Sequence, residues 1–234
     1  MTGREVRPRQ AKPKPKSHAA LMDSVYRRQR HIYDFTRKYY LLGRDRLIRE
    51  LGAKPGQSVV EIGCGTARNL IRIARVYPGV RLYGLDASQE MLRTAEEAVR
   101  RANLSDRITL AHGLAEQMTP ALFGLGEPFD HAVFSYSLSM IPDWRGALRG
   151  AAGAIRPEGS IHVVDFGDLE GLWPPVQRVL RGWLGLFHVA PRSKLLEVLE
   201  INRSHRPDIT IHILSGRYAF LFKGSPKAVL GLDS

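Results

Sequence analysis

One short segment, VVEIGCGTARN at residues 59–69, constrains the fold more than any other part of this 234-residue chain. A short apolar run that ends in two closely spaced glycines, Gly63 and Gly65, is typical of a buried β-strand that turns sharply into a helix. Glycine has no Cβ, so its backbone can turn tightly and lie close to a ligand. We therefore expect a strand–loop–helix unit with a ligand-binding loop.

Short apolar runs alternate with helical patterns from residue 58 to residue 167, which predicts repeated βα units. Strands rich in Val, Ile and Leu are typical of a parallel sheet covered on both faces. The last two runs are separated only by Ser215-Gly216, a spacing that permits a tight antiparallel hairpin. The sequence therefore predicts an α/β, Rossmann-like fold: a seven-stranded, mostly parallel sheet with a C-terminal antiparallel hairpin and helices on both faces. The predicted strands are SVVEIG, RLYGLD, RITLAHG, FDHAVFSYS, SIHVVDFG, DITIHIL and RYAFLFKG.

The chain is expected to form one domain, residues 18–234, after a disordered basic tail at residues 1–17. The tail holds six Lys and Arg residues against one Glu, with three prolines between them, so it cannot bury a core. Apolar residues at helical spacing predict a helical cap over residues 18–51, divided at Gly43. Residues 168–195 form a long insertion before the closing hairpin.

Composition excludes several classes of protein. No run reaches the eighteen or more apolar residues of a membrane-spanning helix. The lone Cys64 can form no disulfide within the chain and no zinc cluster, so we expect a cytoplasmic protein without a metal. The net charge is +12, and removing the tail's excess of five leaves +7. A basic body favours an anionic partner, either nucleic acid or an anionic membrane face, and charge alone does not choose between them.

Two carboxylates flank the glycine loop in a pattern that indicates a nucleoside site. Glu61 lies two residues before the first glycine, and Asp86 ends the next strand, 21 residues after Gly65. A carboxylate in that place can accept hydrogen bonds from both ribose hydroxyls of an adenosine. A dehydrogenase is the main alternative, but the third glycine of its loop is replaced by the run Ala67-Arg68-Asn69. No Gly-Lys-Ser/Thr follows, which excludes a P-loop.

E-x-G-x-G followed by a strand that ends in Leu-Asp resembles the class I S-adenosyl-L-methionine-dependent methyltransferases. The resemblance implies that Gly63 and Gly65 wrap the methionine part of the cofactor, that Asp86 binds its ribose, and that Glu61 lies near the methionine amine. The family also ends its parallel strands in an antiparallel hairpin. S-Adenosyl-L-methionine is therefore the expected cofactor.

The chain departs from that family at two positions. Ala67 stands where a third glycine is common. Leu114 stands where an Asp commonly lies near the adenine amino group. Adenine binding is then expected from the backbone of Leu114 and Ala115, with Glu116 or Gln117 as additional candidates.

The fourth strand ends in FSYSLSMIPDW and is expected to border the reacting methyl group, because ligands lie beyond the carboxyl ends of parallel strands. Ser135, Tyr136 and Ser139 offer hydroxyls there, and Ser135 is assigned to both cofactor and acceptor. Aromatic faces stabilise quaternary ammonium, so this lining suits a methylated amine. Tyr136, Tyr33 and Ser135 are the predicted catalytic residues. Packing is the alternative for the tyrosines, and the same holds for Tyr26, seven residues before Tyr33.

The insertion mixes tryptophans with arginines, a composition that suits the headgroup zone of a bilayer. We assign Trp173, Trp183, His188 and Arg192, together with Tyr26, to a surface that contacts substrate or membrane. A lid that packs onto the domain in solution is the alternative.

Four segments, LMDSVYRRQRHIYDFTRKYYLLGRDRLI, EIGCGTARNL, FSYSLSMIPDW and LFHVAPRSK, resemble the N-methyltransferases that complete bacterial betaine-lipid synthesis. The resemblance implies trimethylation of the homoserine amine of diacylglyceryl-homoserine, giving diacylglyceryl-trimethylhomoserine. It also implies a lipid substrate and peripheral attachment to the anionic inner membrane face. Methylation of phosphatidylethanolamine or of a quinone precursor stays open. An RNA-binding protein with a vestigial cofactor pocket is the alternative from another class; no RNA module is visible, so no nucleic-acid partner is expected.

Overall fold

Seven strands form one sheet in the computed structural model, which describes residues 41–186, 193–203 and 207–232. The strand order is β3-β2-β1-β4-β5-β7-β6. Strands β1 to β5 pair in parallel, and β7 runs antiparallel to both β5 and β6. The predicted fold class is confirmed. The strands are β1 (Ser58–Ile62), β2 (Arg81–Asp86), β3 (Ile108–His112), β4 (Phe129–Ser135), β5 (Ile155–Phe166), β6 (Thr210–Leu214) and β7 (Ala219–Gly224).

Helices cover both faces of the sheet and bury two apolar clusters against it. One cluster contains residues of α1, α2, α3 and α5, and the other contains residues of α4, α6 and α7. This division follows from right-handed crossovers that change direction at β1. The helices are α1 (Arg44–Glu50), α2 (Arg68–Val76), α3 (Gln89–Arg101), α4 (Trp144–Ala154), α5 (Pro174–Leu186), α6 (Ser193–Arg203) and α7 (Pro226–Leu230).

Helix starts follow the local sequence. The Ser88 hydroxyl accepts from the backbone N–H of Met91 at 3.3 Å, which confirms Ser88 as the N-cap of α3. Asp143 caps α4 in the same way by accepting from Gly146 at 2.8 Å. Helix α1 begins directly after Gly43, whose φ of 81° breaks the chain where the sequence predicts a division. The preceding part of the predicted cap lies outside the described residues, as does the tail.

The structure differs from the prediction in three places. Strand β5 begins at Ile155, five residues before the predicted strand SIHVVDFG, and its pairing with β4 is irregular in this added part. Helices α5, α6 and α7 were not predicted. The closing hairpin has a four-residue loop, 215–218, in which three residues have positive φ, because β7 begins two residues later than expected.

Arg217 in this loop fixes the insertion to the sheet. Its Nε donates to Asp168 Oδ1 and its Nη1 to Glu200 Oε1, both at 2.8 Å. Arg181 of α5 donates to the Asp168 carbonyl oxygen at 3.0 Å. The Arg217 guanidinium therefore joins the hairpin to the segment after β5 and to α6. The bond from Arg181 holds α5 against the same segment.

A chain of polar side chains crosses the middle of the sheet. The Ser160 hydroxyl lies 2.8 Å from His131 Nδ1 and 2.8 Å from His162 Nε2, and His131 Nε2 lies 3.2 Å from Gln57 Oε1. An amide oxygen only accepts, so neutral His131 carries its proton on Nε2. Ser160 then donates to His131 and accepts from His162. Burial lowers the pKa of both histidines and so favours their neutral forms.

The stability of the fold is expected to fall as the pH drops below about 6.5. Burial lowers the pKa of His162 from 6.5 to about 3, with a further contribution from the positive charge of Lys223 and, when it is protonated, from His131. Between these two pKa values His162 is protonated in the unfolded chain and neutral in the folded chain. His162 therefore lowers the free energy of unfolding by up to about 1.4 kcal/mol for each unit by which the pH falls. Urea unfolding at pH 4.5 to 7.5 measures the slope. His162→Gln should flatten it, and an unchanged slope in that variant contradicts the assignment.

Candidate functional site

The glycine loop lies at the carboxyl end of β1 and is held against β2 and the segment after β4. The backbone N–H groups of Gly63 and Cys64 both donate to the Leu85 carbonyl, at 2.8 and 3.0 Å. Gly63 has a φ of 75°, and a Cβ there would lie 2.5 Å from the Cβ of Ser137. Glycine is therefore required at this position both by conformation and by space. Ala67, where a third glycine is common, also adopts a left-handed conformation and is fully buried.

The carboxylate of Asp86 fastens this loop to the next βα unit. Its Oδ2 accepts from the backbone N–H of Gly65 at 2.8 Å, and its Oδ1 accepts from that of Ser88 at 2.9 Å. Asp86 ends β2 beside His112 of β3, at the edge of the sheet where parallel strands present their carboxyl ends. The predicted ribose acceptor is thus held in a fixed orientation at the ligand-binding edge.

A cleft opens beyond these strand ends. It brings together Leu114 and Ala115, the predicted adenine residues, with Glu116 beside them. The predicted residues among its lining are Gly63, Gly65, Asp86, Leu114, Ala115 and Tyr136.

Glu61 lies beneath the loop and is almost completely buried. Asn69, in the first turn of α2, donates from Nδ2 to Glu61 Oε1 at 2.7 Å. Asn69 was not among the predicted site residues, although its place in the first helical turn after the glycine loop was a usable signal. Glu61 and Ser135 line a second groove that shares Gly63 and Gly65 with the cleft.

Three serines follow or end β4, and they differ in their bonding. The Ser137 hydroxyl donates to the Ile62 carbonyl at 2.8 Å. The hydroxyls of Ser135 and Ser139 are buried and have no hydrogen-bond partner within the described ranges. A buried hydroxyl without a partner costs free energy, so these two groups can bind a ligand with gain. Asp165, which was also missed, is fully buried and accepts from the Ser139 backbone at 3.0 Å.

Tyr136 has a structural role that the sequence did not show. Its hydroxyl donates to the Leu42 carbonyl at 2.7 Å, and its ring packs edge-to-face on Phe166 at 4.7 Å. Its backbone is left-handed, with a φ of 56°, and the side chain is 2% exposed. Tyr136 therefore ties the segment before α1 to the end of β4, and the residue also lines the cleft.

The predicted membrane residues separate in the structure. Trp173 is 73% exposed, whereas Trp183 is half-buried and packs against the core on the side of Leu184. Tyr26, Tyr33, His188 and Arg192 lie outside the described residues. Within the described ranges no helix is long and apolar enough to cross a membrane. These ranges also hold no cluster of three or more His, Cys, Asp or Glu residues suited to a metal ion.

Comparison with known proteins identifies the architecture. Residues 60–161 match the methyltransferase domain family. Demethylmenaquinone methyltransferases of Lactobacillus johnsonii and Geobacillus kaustophilus are 28% and 29% identical to this chain, over 65% and 57% of its length. The chain spans 60% and 55% of their lengths.

Solved structures agree. Phosphoethanolamine N-methyltransferase 2 of Haemonchus contortus, in complex with phosphomonomethylethanolamine and S-adenosylhomocysteine, superposes with a TM-score of 0.70 at 16% identity, covering 91% of this chain and 61% of that one. An S-adenosylmethionine-dependent methyltransferase of Aquifex aeolicus gives 0.56 at 17% identity, covering 80% and 92%. The chain therefore has the fold of a class I methyltransferase, and residues 60–161 are similar to a methyltransferase domain.

The residues of this domain fit S-adenosyl-L-methionine as the cofactor. The glycine loop offers backbone at a sharp turn, Asp86 offers an oriented carboxylate for the ribose, and the hydroxyl of Ser135 is buried without a partner beside the loop. Glu61 lies on the same side as Ser135, where the methionine part is expected. The predicted cofactor and the structure therefore agree.

Replacing Asp86 with Ala should weaken cofactor binding. Each hydrogen bond from a ribose hydroxyl to a charged acceptor contributes about 1.5–3 kcal/mol, so we expect the affinity for S-adenosylhomocysteine to fall at least tenfold in calorimetric titration. The variant also loses the bond to Gly65, so thermal unfolding must show that it is folded at the titration temperature. Asp106→Ala, an exposed surface change, is the control. Equal affinity in Asp86→Ala and the control would end the ribose assignment.

Proposed function

We propose that this protein is an S-adenosylmethionine-dependent N-methyltransferase that trimethylates the homoserine amine of diacylglyceryl-homoserine, giving diacylglyceryl-trimethylhomoserine. The observation that carries the lipid substrate is the outer face of α5. Trp173, Val176 and Val179 are exposed there, at 73%, 43% and 72%. Residues 171–196 contain four Arg and Lys residues and no acid. An apolar stripe with basic flanks is suited to an anionic lipid surface.

The place of α5 relative to the cleft supports this function. Helix α5 follows the carboxyl end of β5, the same edge of the sheet at which the cleft opens. Its inner face is anchored by Leu184, and Gln177 donates to the Leu169 carbonyl at 2.8 Å. A lipid headgroup at this edge can therefore enter the cleft while its acyl chains stay in the bilayer. The protein is expected to act from the cytoplasm, at the inner membrane face.

The chemistry needs a neutral amine in line with the methyl group. When bound, S-adenosylmethionine supplies a methyl group on a positively charged sulfur. The nitrogen lone pair forms a bond to the methyl carbon, the carbon–sulfur bond breaks with its electrons left on sulfur, and the amine proton passes to water. Positioning supplies most of the rate in such a reaction. Asp86 and the glycine loop fix the donor, and the Ser135 hydroxyl, which lines the groove beside the loop, can orient an amine that still carries N–H.

The final product has no N–H, so hydrogen bonds cannot hold it. An aromatic face can, because its quadrupole attracts a cation by about 0.5–2 kcal/mol. Tyr136 lines the cleft, with Met140 and Ile141 as apolar neighbours that exclude water. We therefore assign the later methylations to this ring. Tyr33, which the sequence predicts as a catalytic residue together with Tyr136, stays a prediction.

Methylation of a quinone precursor is the second candidate, because the relatives named above are demethylmenaquinone methyltransferases. Such an acceptor is methylated on carbon and offers no amine. The likeness in fold to a phosphoethanolamine N-methyltransferase keeps phosphatidylethanolamine as a third substrate. The three acceptors differ in product mass and in the atom that is methylated.

An acceptor assay separates these functions. The full chain and S-adenosylmethionine are incubated with vesicles that contain diacylglyceryl-homoserine, phosphatidylethanolamine or demethylmenaquinone, and products are followed by mass spectrometry. We expect one, two and then three methyl groups on diacylglyceryl-homoserine alone. Tyr136→Ala should accumulate mono- and dimethylated lipid, whereas Tyr136→Phe, which keeps the ring, should complete more of the third step. Methylation of the quinone alone would replace the proposal with the second candidate.

Membrane binding is expected to depend on the α5 stripe. Trp173→Ser with Val179→Ser removes two exposed apolar side chains, so sedimentation with phosphatidylglycerol vesicles should fall several-fold. Leu122→Ser with Leu230→Ser, also exposed but on other surfaces, is the matched control. Binding of the parent should weaken as salt rises, because basic groups near the surface are screened. If both double variants sediment equally, α5 is not the docking face.

A further inference from the structure

A groove lined by arginines leaves the cofactor loop and runs between α2 and α3. It shares Gly63, Gly65 and Glu61 with the loop region, and Glu61 is the only acid among its described lining residues. Its arginines are Arg44, Arg68, Arg72, Arg75 and Arg101. A groove of one charge sign next to the methyl donor is a candidate site for an anion.

Helix α2 carries three of these arginines on one face. Arg68, Arg72 and Arg75 recur at intervals of four and three residues, so their side chains are neighbours. Like charges at this spacing oppose helix formation, and Arg68 also lies in the first turn, where the helix dipole disfavours a cation. The first turn holds no acid to offset it. This arrangement lowers the stability of the helix. Residues that oppose the local structure in this way are expected at functional sites.

The ion pairs of the groove leave two of its arginines unneutralised. Arg72 pairs with Asp45 at 2.7 Å, and Arg101 pairs with Glu97 at 3.1 Å. Arg68 and Arg75 have no carboxylate within ion-pair distance in residues 41–186, 193–203 and 207–232. Both can therefore bind an anion without breaking a described ion pair.

Ser135 is an independent observation at the same groove. Its hydroxyl is 7% exposed, lines the groove beside Glu61, and has no hydrogen-bond partner in the described part of the chain. A ligand that reaches Ser135 gains a hydrogen bond that the protein itself does not supply. The groove thus offers cations along its wall and an unsatisfied hydroxyl at its inner end.

We propose that this arginine groove binds the anionic group of the methyl acceptor, a carboxylate or a phosphate, and so selects acceptors that carry an anion beside their amine. Guanidinium groups match carboxylate and phosphate oxygens in pairs. An uncharged quinone gains nothing from this groove, whereas the carboxylate of a homoserine headgroup does. The inference rests on the proposed amine methylation for its biological meaning, but the anion site itself can be measured without turnover.

The test uses the full chain saturated with S-adenosylhomocysteine, with sodium phosphate and sodium acetate as separate probes at constant ionic strength. Binding is measured by calorimetry or by NMR shifts. Arg68→Gln with Arg75→Gln should weaken binding of the preferred anion at least fivefold. Arg93→Gln with Arg100→Gln removes the same charge from exposed positions on α3 outside the groove. The affinity of this control for the anion should stay within twofold of that of the parent. The preferred probe tells a carboxylate site from a phosphate site.

Two results overturn the proposal. Equal anion binding by the two double variants would show that the groove is not the site. A groove variant that loses affinity for S-adenosylhomocysteine as strongly as for the anion would assign the arginines to the carboxylate of the cofactor instead. Since neither result depends on methyl transfer, failure of the acceptor assay and failure of the anion site are distinguishable.

Discussion

The ligand-binding edge of this sheet depends on the carboxylate of Asp86. It accepts one hydrogen bond from the glycine loop, at Gly65, and one from the start of α3, at Ser88. Bonds from backbone N–H groups to an ionised acceptor are among the strong ones in proteins. One side chain therefore sets both the shape of the loop and the place of the charge that faces the cleft, so structure and binding at this edge cannot be varied separately.

The acceptor side is built onto the same loop by close packing. Ser137 donates to the Ile62 carbonyl and leaves room for no side chain at Gly63. Tyr136, beside it, reaches the Leu42 carbonyl and so connects the cleft to the segment before α1. The hydroxyl of Tyr136 is thus a structural group, and its ring is the candidate functional one.

Two surfaces around the cleft are the basis of the proposed acceptor. The α5 stripe offers exposed apolar groups with basic neighbours, and the arginine groove offers cations next to the loop. Arg217, through Asp168 and Glu200, holds the insertion in place relative to the sheet. A substrate with acyl chains and an anionic group beside its amine would use both the stripe and the groove. This combination, more than any single residue, is the reason for proposing an amino-acid headgroup lipid as the acceptor.

The sequence by itself determined the sheet, the glycine loop and the helix cap at Ser88, because strand periodicity, glycine conformation and capping depend on neighbouring residues. It also placed Asp86 at the correct strand end. Only the tertiary structure decided that Trp183 packs inward, that Tyr136 bonds to a residue 94 positions away, and that Ser135 lies buried without a partner beside a row of arginines. These contacts join segments far apart in the chain, and no local pattern of residues specifies which distant groups will meet across the sheet.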